Sequence, residues 1–256
     1  MKGVISAEWL KLHSVRSSLV TVALALCGLL IAVGLALMAV AMYDSAPAAA
    51  RPTARIADLE DVVVIVPQLC LGILGVLAYT SEHATGLIRT TLAVVPRRWP
   101  VVAAKAVVVG TVALVVGPVV VFGTFFLTHW LLGGRYPVPV FHDQWPTLVT
   151  TSLSVPVFAL LGLGLGVLVR HTAACIAALV GLVYVVPMIC GNLPAPWRER
   201  LGSLMIGALP REITGADLTH SVYGSLLSPL AAALVLVAYA VVPLLAGVWR
   251  LRSADA

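Results

Sequence analysis

Six stretches of this chain contain no Asp, Glu, Lys or Arg and run for 20 to 32 residues each. A helix needs about 20 apolar residues to cross the hydrocarbon core of a membrane. Backbone groups find no water in that core, so segments of this length must pair internally as helices. We therefore expect one all-α membrane domain over residues 1–256. Its six spans should lie near 18–43, 62–80, 106–132, 147–169, 172–193 and 226–249.

The charge distribution predicts how these spans are oriented. Only 11% of the residues are charged, against about 25% in an ordinary soluble domain. With the N-terminus in the cytoplasm, the inner segments hold ten basic and three acidic residues, and the outer segments hold six and eight. The positive-inside rule then places both termini in the cytoplasm. The net charge of +5 follows from this topology and does not indicate nucleic-acid binding.

The first 17 residues predict an interfacial helix before span one. Apolar and charged residues there recur at helical spacing on opposite sides, which would bury one side in the lipid boundary and turn the charges to the cytoplasm. Trp9 favours this interpretation, because Trp prefers the headgroup level; a plain positively charged flank is the alternative. The apolar side comprises Ile5, Trp9, Leu12 and Val15, and the charged side comprises Lys2, Glu8, Lys11 and Arg16.

Two further features concern packing and the outer surface. Gly162 and Gly166 form a G-x-x-x-G pair in span four, which lets another helix approach closely. The connection 193–225 carries a short apolar stripe interrupted by glycine and proline. It predicts either short helices that dip into the outer leaflet or an amphipathic helix on the surface. The stripe comprises Leu201, Leu204, Met205 and Leu209.

The chain shows no internal source of energy and no enzyme signature. Coupled transporters place ionisable residues inside the membrane, and none lies at mid-span here. The P-loop pattern is absent, since none of the three lysines precedes Ser or Thr. We find no zinc-protease or serine-hydrolase motif and expect neither metal nor cofactor in this chain. The polar residues Gln68, Thr150, Thr151, Ser152 and Ser154 form no recognisable catalytic set.

Residues Tyr79 to Lys105 form the most structured polar stretch between two spans. Thr80 or Ser81 could cap a new helix with Glu82 in its first turn. Apolar residues then recur along one side up to Val95. Pro96 should end this helix, before the basic pair Arg97 and Arg98 and a new helix start at Pro100.

This stretch resembles the cytoplasmic loop between spans two and three in ABC-2 type permeases, the membrane subunits of ATP-binding-cassette exporters. His83 stands where that family more often has Tyr or Phe. The opening of the chain is also similar to bacterial members, through Glu8, Lys11 and Arg16. The matching loop residues are Glu82, Gly86, Arg89, Pro96, Arg97, Arg98 and Lys105.

The resemblance implies that two permease subunits, identical or different, sit on two cytoplasmic ATPases that bind ATP and magnesium. The loop would then be a coupling helix, with Glu82, Gly86, Arg89, Arg97 and Arg98 at the ATPase contact. Glu82 and Arg89 would pair with the ATPase or with the N-terminal helix.

We accordingly expect an exporter subunit in a bacterial plasma membrane, with an actinobacterial-like composition and a hydrophobic or amphipathic substrate. A membrane scaffold or sensor subunit without transport of its own is the alternative. A membrane-embedded enzyme is the least favoured class.

Overall fold

The structure is a computed structural model that describes residues 2–49, 51, 54, 56, 58–87, 99–137, 140–215 and 227–253. Over these residues the chain is helical and contains no strand. Within the described ranges, six helices are long and apolar enough to cross a membrane, as predicted. We number them spans one to six: Arg16–Ser45, Leu59–Ala84, Trp99–Leu132, Phe141–Val169, Thr172–Gly191 and Pro229–Leu251. Shorter helices cover Lys2–Ser14, Trp197–Gly202 and Leu209–Thr214.

Span two continues past the point at which a new helix was predicted. The Thr80 hydroxyl donates to the carbonyl of Val76 at 3.0 Å, and the Ser81 hydroxyl donates to the carbonyl of Leu77 at 2.6 Å. Both side chains thus bond backward within one helix instead of capping the start of another. The prediction of a helix start at Thr80 or Ser81 is wrong, because the helix runs unbroken to Ala84.

Span four lies at the centre of the bundle and packs against spans two, three and six. Its predicted glycine pair faces span two. A Cβ added at Gly162 would overlap the carbonyl of Gly72, and one added at Gly166 would lie 3.0 Å from the carbonyl oxygen of Val76. The absence of side chains lets these two backbones come into direct contact.

Glycines also form the contacts of span four with spans three and six. A Cβ at Gly164 would lie 2.7 Å from the backbone nitrogen of Leu244 in span six. A Cβ at Gly117 of span three would lie 2.8 Å from the carbonyl oxygen of Ser152. Span four is therefore packed by close backbone approach on three sides, which fixes the positions of its neighbours.

We expect Gly162→Ala to lower the stability of the fold by about 1–3 kcal/mol, the usual cost of forcing extra volume into a packed core. The Gly72 carbonyl belongs to a helix backbone and cannot rotate away. Gly34→Ala in span one is the matched control, because a Cβ there meets nothing within 4 Å. Thermal unfolding of the two variants in detergent checks this; equal midpoints would contradict the packing.

The two ends of the bundle carry different connections. One end carries most of the basic residues, and we call it the basic end. It holds the N-terminal helix, the 84–99 connection and the tight turn between spans four and five. There Thr172 donates to Thr80 at 2.9 Å. The opposite end holds the 45–59, 132–141 and 191–229 connections. There the Thr150 hydroxyl of span four donates to the carbonyl of Pro210 at 2.9 Å.

The short helices after span five pack onto the bundle. Ile206 and Leu209 are buried together with Phe158, Leu179 and Leu236 from spans four, five and six. The predicted apolar stripe is not one continuous buried face, because Leu204 is 39% exposed. This segment therefore covers the opposite end of spans four and six.

Candidate functional site

A buried lysine is the centre of the candidate site. Lys105 lies six residues into span three, about 9 Å along the helix from its start, and its side chain is only 1% exposed. Its ammonium nitrogen lies 2.7 Å from Glu8 Oε2 and 2.7 Å from Glu82 Oε1. A buried ammonium is stable only when paired in this way.

The N-terminal helix supplies the second carboxylate and a second lysine. Glu8 and Lys11 are one turn apart on the same face of the helix Lys2–Ser14. Lys11 Nζ lies 2.8 Å from Glu8 Oε1 and 2.9 Å from Glu82 Oε1. Two carboxylates and two ammonium groups, which we call the ion-pair cluster (Glu8, Lys11, Glu82 and Lys105), therefore join three helices.

Both lysines donate a hydrogen bond to the same carboxylate oxygen of Glu82. Its Oε1 accepts from Lys11 and Lys105, whereas its Oε2 is buried and has no hydrogen-bond partner among the described residues. The side chain of Glu82 is 9% exposed. The carboxylate is thus committed to the cluster, and it presents little surface to a protein that docks from outside.

The two positive charges of the ion-pair cluster balance its two negative charges. Burial lowers the pKa of Lys11, but hydrogen bonds and charge interactions with Glu8 and Glu82 outweigh this and raise it above its usual value. Lys11 is therefore charged at neutral pH and helps to neutralise the two carboxylates. Breaking a buried ion pair by removing one partner typically costs about 3–5 kcal/mol.

A cleft of about 300 Å³ opens beside the cluster. Its walls come from the N-terminal helix, the start of span one, the end of span two and span three. The polar part of the wall is formed by Glu8, Lys11, Ser17, Ser18, Ser81, Glu82, Thr85 and Lys105.

The end of span two explains the role of Gly86 in the chain. The helix ends at Ala84, Thr85 remains in right-handed geometry, and Gly86 has a φ of 73°. This left-handed conformation favours glycine and is typical of the residue just after a helix. The predicted helix from Glu82 to Val95 is therefore interrupted at Gly86, with Glu82 in span two and Leu87 after the turn; the part from 88 to 95 lies outside the described residues.

The other predicted site residues fall in different places. Arg89, Arg97 and Arg98 lie outside the described residues. Arg16 is exposed at the start of span one, and Trp9 is 41% exposed with its ring 5.2 Å from that of His13.

The predicted sidedness of the N-terminal helix is wrong at Glu8. This carboxylate is buried, not turned to the cytoplasm, because it pairs with Lys105.

Sequence reasoning did not include Lys105 among the site residues, although it matched the loop motif. The signal was available, since Lys105 and Glu82 are opposite charges at facing ends of consecutive apolar runs. Charged residues at such positions are expected to pair. The contribution of Glu8 and Lys11 was harder to find, because it depends on how the N-terminal helix folds back onto span three.

No protein-family model matches this chain, and no curated protein matches it either. The likeness to ABC-2 type permeases therefore depends on the residues named above.

Proposed function

We propose that this chain is the membrane subunit of an ABC-2 type exporter, driven by a separate ATPase that docks at the basic end. The observation that supports this most is the ion-pair cluster. Glu8 and Lys11 belong to the opening motif of the family, and Glu82 and Lys105 belong to its loop motif. These two motifs are more than 70 residues apart in the chain, and their charged residues are in direct contact.

The cluster gives the ATPase a means of moving several helices at once. Lys105 connects span three to the last turn of span two through Glu82 and to the N-terminal helix through Glu8. A displacement of the loop after Gly86 would pull on the end of span two, and the short buried contacts would carry it to the other two helices. In this account the cluster transmits motion, while the loop beyond Gly86 makes the ATPase contact.

The remaining features of the proposed exporter follow from the same topology. The basic end would face the cytoplasm of a bacterial cell. Spans one, five and six are the least buried, so lipid or a second permease subunit would cover them. The energy would come from ATP and magnesium bound by the partner, and the substrate would be hydrophobic or amphipathic.

Purification of the tagged full-length chain from its native membrane tests this function. The proposal expects a P-loop ATPase to co-purify, and the complex to hydrolyse MgATP. Substitution of the partner's P-loop lysine should abolish that hydrolysis. A chain that purifies without any P-loop protein, from membranes solubilised in a mild detergent, would favour the scaffold or sensor subunit instead.

A further inference from the structure

A second cavity, of about 270 Å³, lies at the opposite end of the bundle. It is formed between spans two, four and five and the short helix Leu209–Thr214, as far as the described residues delimit it. Asp61, Ile65 and Gln68 lie along one face of span two at spacings of four and three, and all three line the cavity. The cavity therefore follows span two for about 10 Å, from Asp61 to Gln68.

Among the described residues that line it, the mouth of this cavity carries an excess of negative charge. Arg211 Nη2 lies 2.7 Å from Asp58 Oδ2 and also pairs with Asp61. Burial lowers the pKa of Arg211, but the two carboxylates raise it overall, so the guanidinium is charged. Two carboxylates therefore share one cation, and each of the three side chains is about 30% exposed. Glu60 and Glu212 are the other charged residues close by in these segments. Both are buried, and since both are acidic, neither offsets the charge of the two aspartates.

The inner part of the cavity contains an unpartnered hydroxyl. Thr151 is 3% exposed and lines the cavity, and its Oγ1 has no hydrogen-bond partner among the described residues. Beside it, the Gln68 amide donates to the Ser154 hydroxyl at 2.7 Å. A buried hydroxyl without a partner costs about 1–3 kcal/mol. A ligand with a polar group at its inner end would remove that cost.

Apolar side chains line other parts of the cavity wall. They include Phe158 of span four, Val183 of span five and Ile206. Span five is π-helical over Gly181–Val185. Pro187 follows that segment, lacks the N–H that a regular helix requires, and also lines the cavity. π-Helical turns occur often at functional sites, and this one contributes Val183 to the wall of the cavity.

We propose that the cavity binds a small organic monocation, with its ammonium group at Asp58 and Asp61 and a hydrogen-bonding group at Thr151. An anionic ligand is disfavoured because Arg211 is already shared by two carboxylates. The apolar part of the wall would take a ring or a short hydrocarbon chain. The site is in this chain alone and on the side away from the proposed ATPase contact. Its test is therefore independent of the proposed function.

Tyramine is a suitable probe, because it carries an ammonium group, a ring and a phenol. We would measure binding of tritiated tyramine to the purified full-length chain in phosphatidylcholine nanodiscs, with empty nanodiscs as background. Saturable binding is expected, weakened at least about tenfold by Asp61→Asn, as for loss of a charged contact. Asp143→Asn removes an exposed carboxylate at the same end of the bundle and should leave the affinity unchanged.

Thr151→Val tests the inner end while nearly keeping the shape of the side chain. The wild type should bind tyramine more tightly than phenethylamine, which lacks the phenol hydroxyl. Thr151→Val should remove this preference. Equal tyramine affinity in the wild type, Asp61→Asn and Thr151→Val would overturn the proposal. So would the absence of saturable binding, or stronger binding of 3-(4-hydroxyphenyl)propionate, in which a carboxylate replaces the ammonium group.

Discussion

Lys105→Met is expected to destabilise the protein by about 3–5 kcal/mol, because it leaves two buried carboxylates with only one cation. The methionine keeps most of the volume of the side chain, so that the change is mainly one of charge. The midpoint of thermal unfolding should fall by roughly 10 °C. The N-terminal helix should also separate from span three, since its Glu8 loses the partner at 2.7 Å. Limited trypsin digestion would then cut after Lys11 and Arg16 faster than in the wild type.

Two further variants separate charge from other causes. Arg16→Met removes an exposed cation at the same end of the bundle and should change stability by less than about 0.5 kcal/mol. The double variant Lys105→Met with Glu82→Gln restores the charge balance. It should be more stable than Lys105→Met alone, because Glu8 and Lys11 then remain as a neutral pair. If Lys105→Met and Arg16→Met unfold at the same temperature, the cluster does not hold these helices together.

Arg89→Glu is expected to abolish co-purification of the ATPase while leaving insertion and folding of the permease intact. The family resemblance puts Arg89 at the ATPase contact, where reversal of its charge would turn attraction into repulsion. The amount of ATPase retained per permease should fall by at least about tenfold, which corresponds to a loss of about 1.4 kcal/mol in binding free energy. Quantitative mass spectrometry of the purified complex measures this ratio, and size-exclusion chromatography reports folding.

Glu82→Gln provides the contrast to Arg89→Glu. Because Glu82 is buried between two lysines, its neutralisation should lower the unfolding temperature first and the ATPase content only as a consequence. Arg16→Glu is the charge-reversal control for Arg89, since Arg16 is exposed on the same predicted side of the membrane. Normal complex assembly by Arg89→Glu, or equal loss with Arg16→Glu, would remove Arg89 from the contact.

The number and nature of the spans could be predicted because apolar length alone determines them. The same holds for the close approach at Gly162 and Gly166, which needs only two small residues one turn apart. The end of span two could not be predicted from local residue preferences. Thr80 and Ser81 are good capping residues, yet their hydroxyls bond backward within the helix. Local patterns do not distinguish these two uses of a hydroxyl.

The arrangement of charges at the basic end depends on tertiary contacts that no local pattern contains. Amphipathic periodicity turns Glu8 and Lys11 outward, whereas the buried Lys105 of span three draws Glu8 toward the bundle and Glu82 of span two draws Lys11. The polar residues of spans two and four present a similar case. Gln68 and Ser154 are 86 positions apart and bond to each other only because the glycines let the two spans meet.

Photo-crosslinking from Leu87 tests most directly whether the basic end receives an ATPase. Leu87 follows the turn at Gly86, and its side chain is 46% exposed. A photoreactive residue there, in the full-length chain in its native membrane, should crosslink to a protein with a G-x-x-x-x-G-K-[ST] motif. The same group at Val140, exposed at the opposite end, should not. Equal yields of P-loop protein from both positions, or none from Leu87, would contradict the proposed exporter.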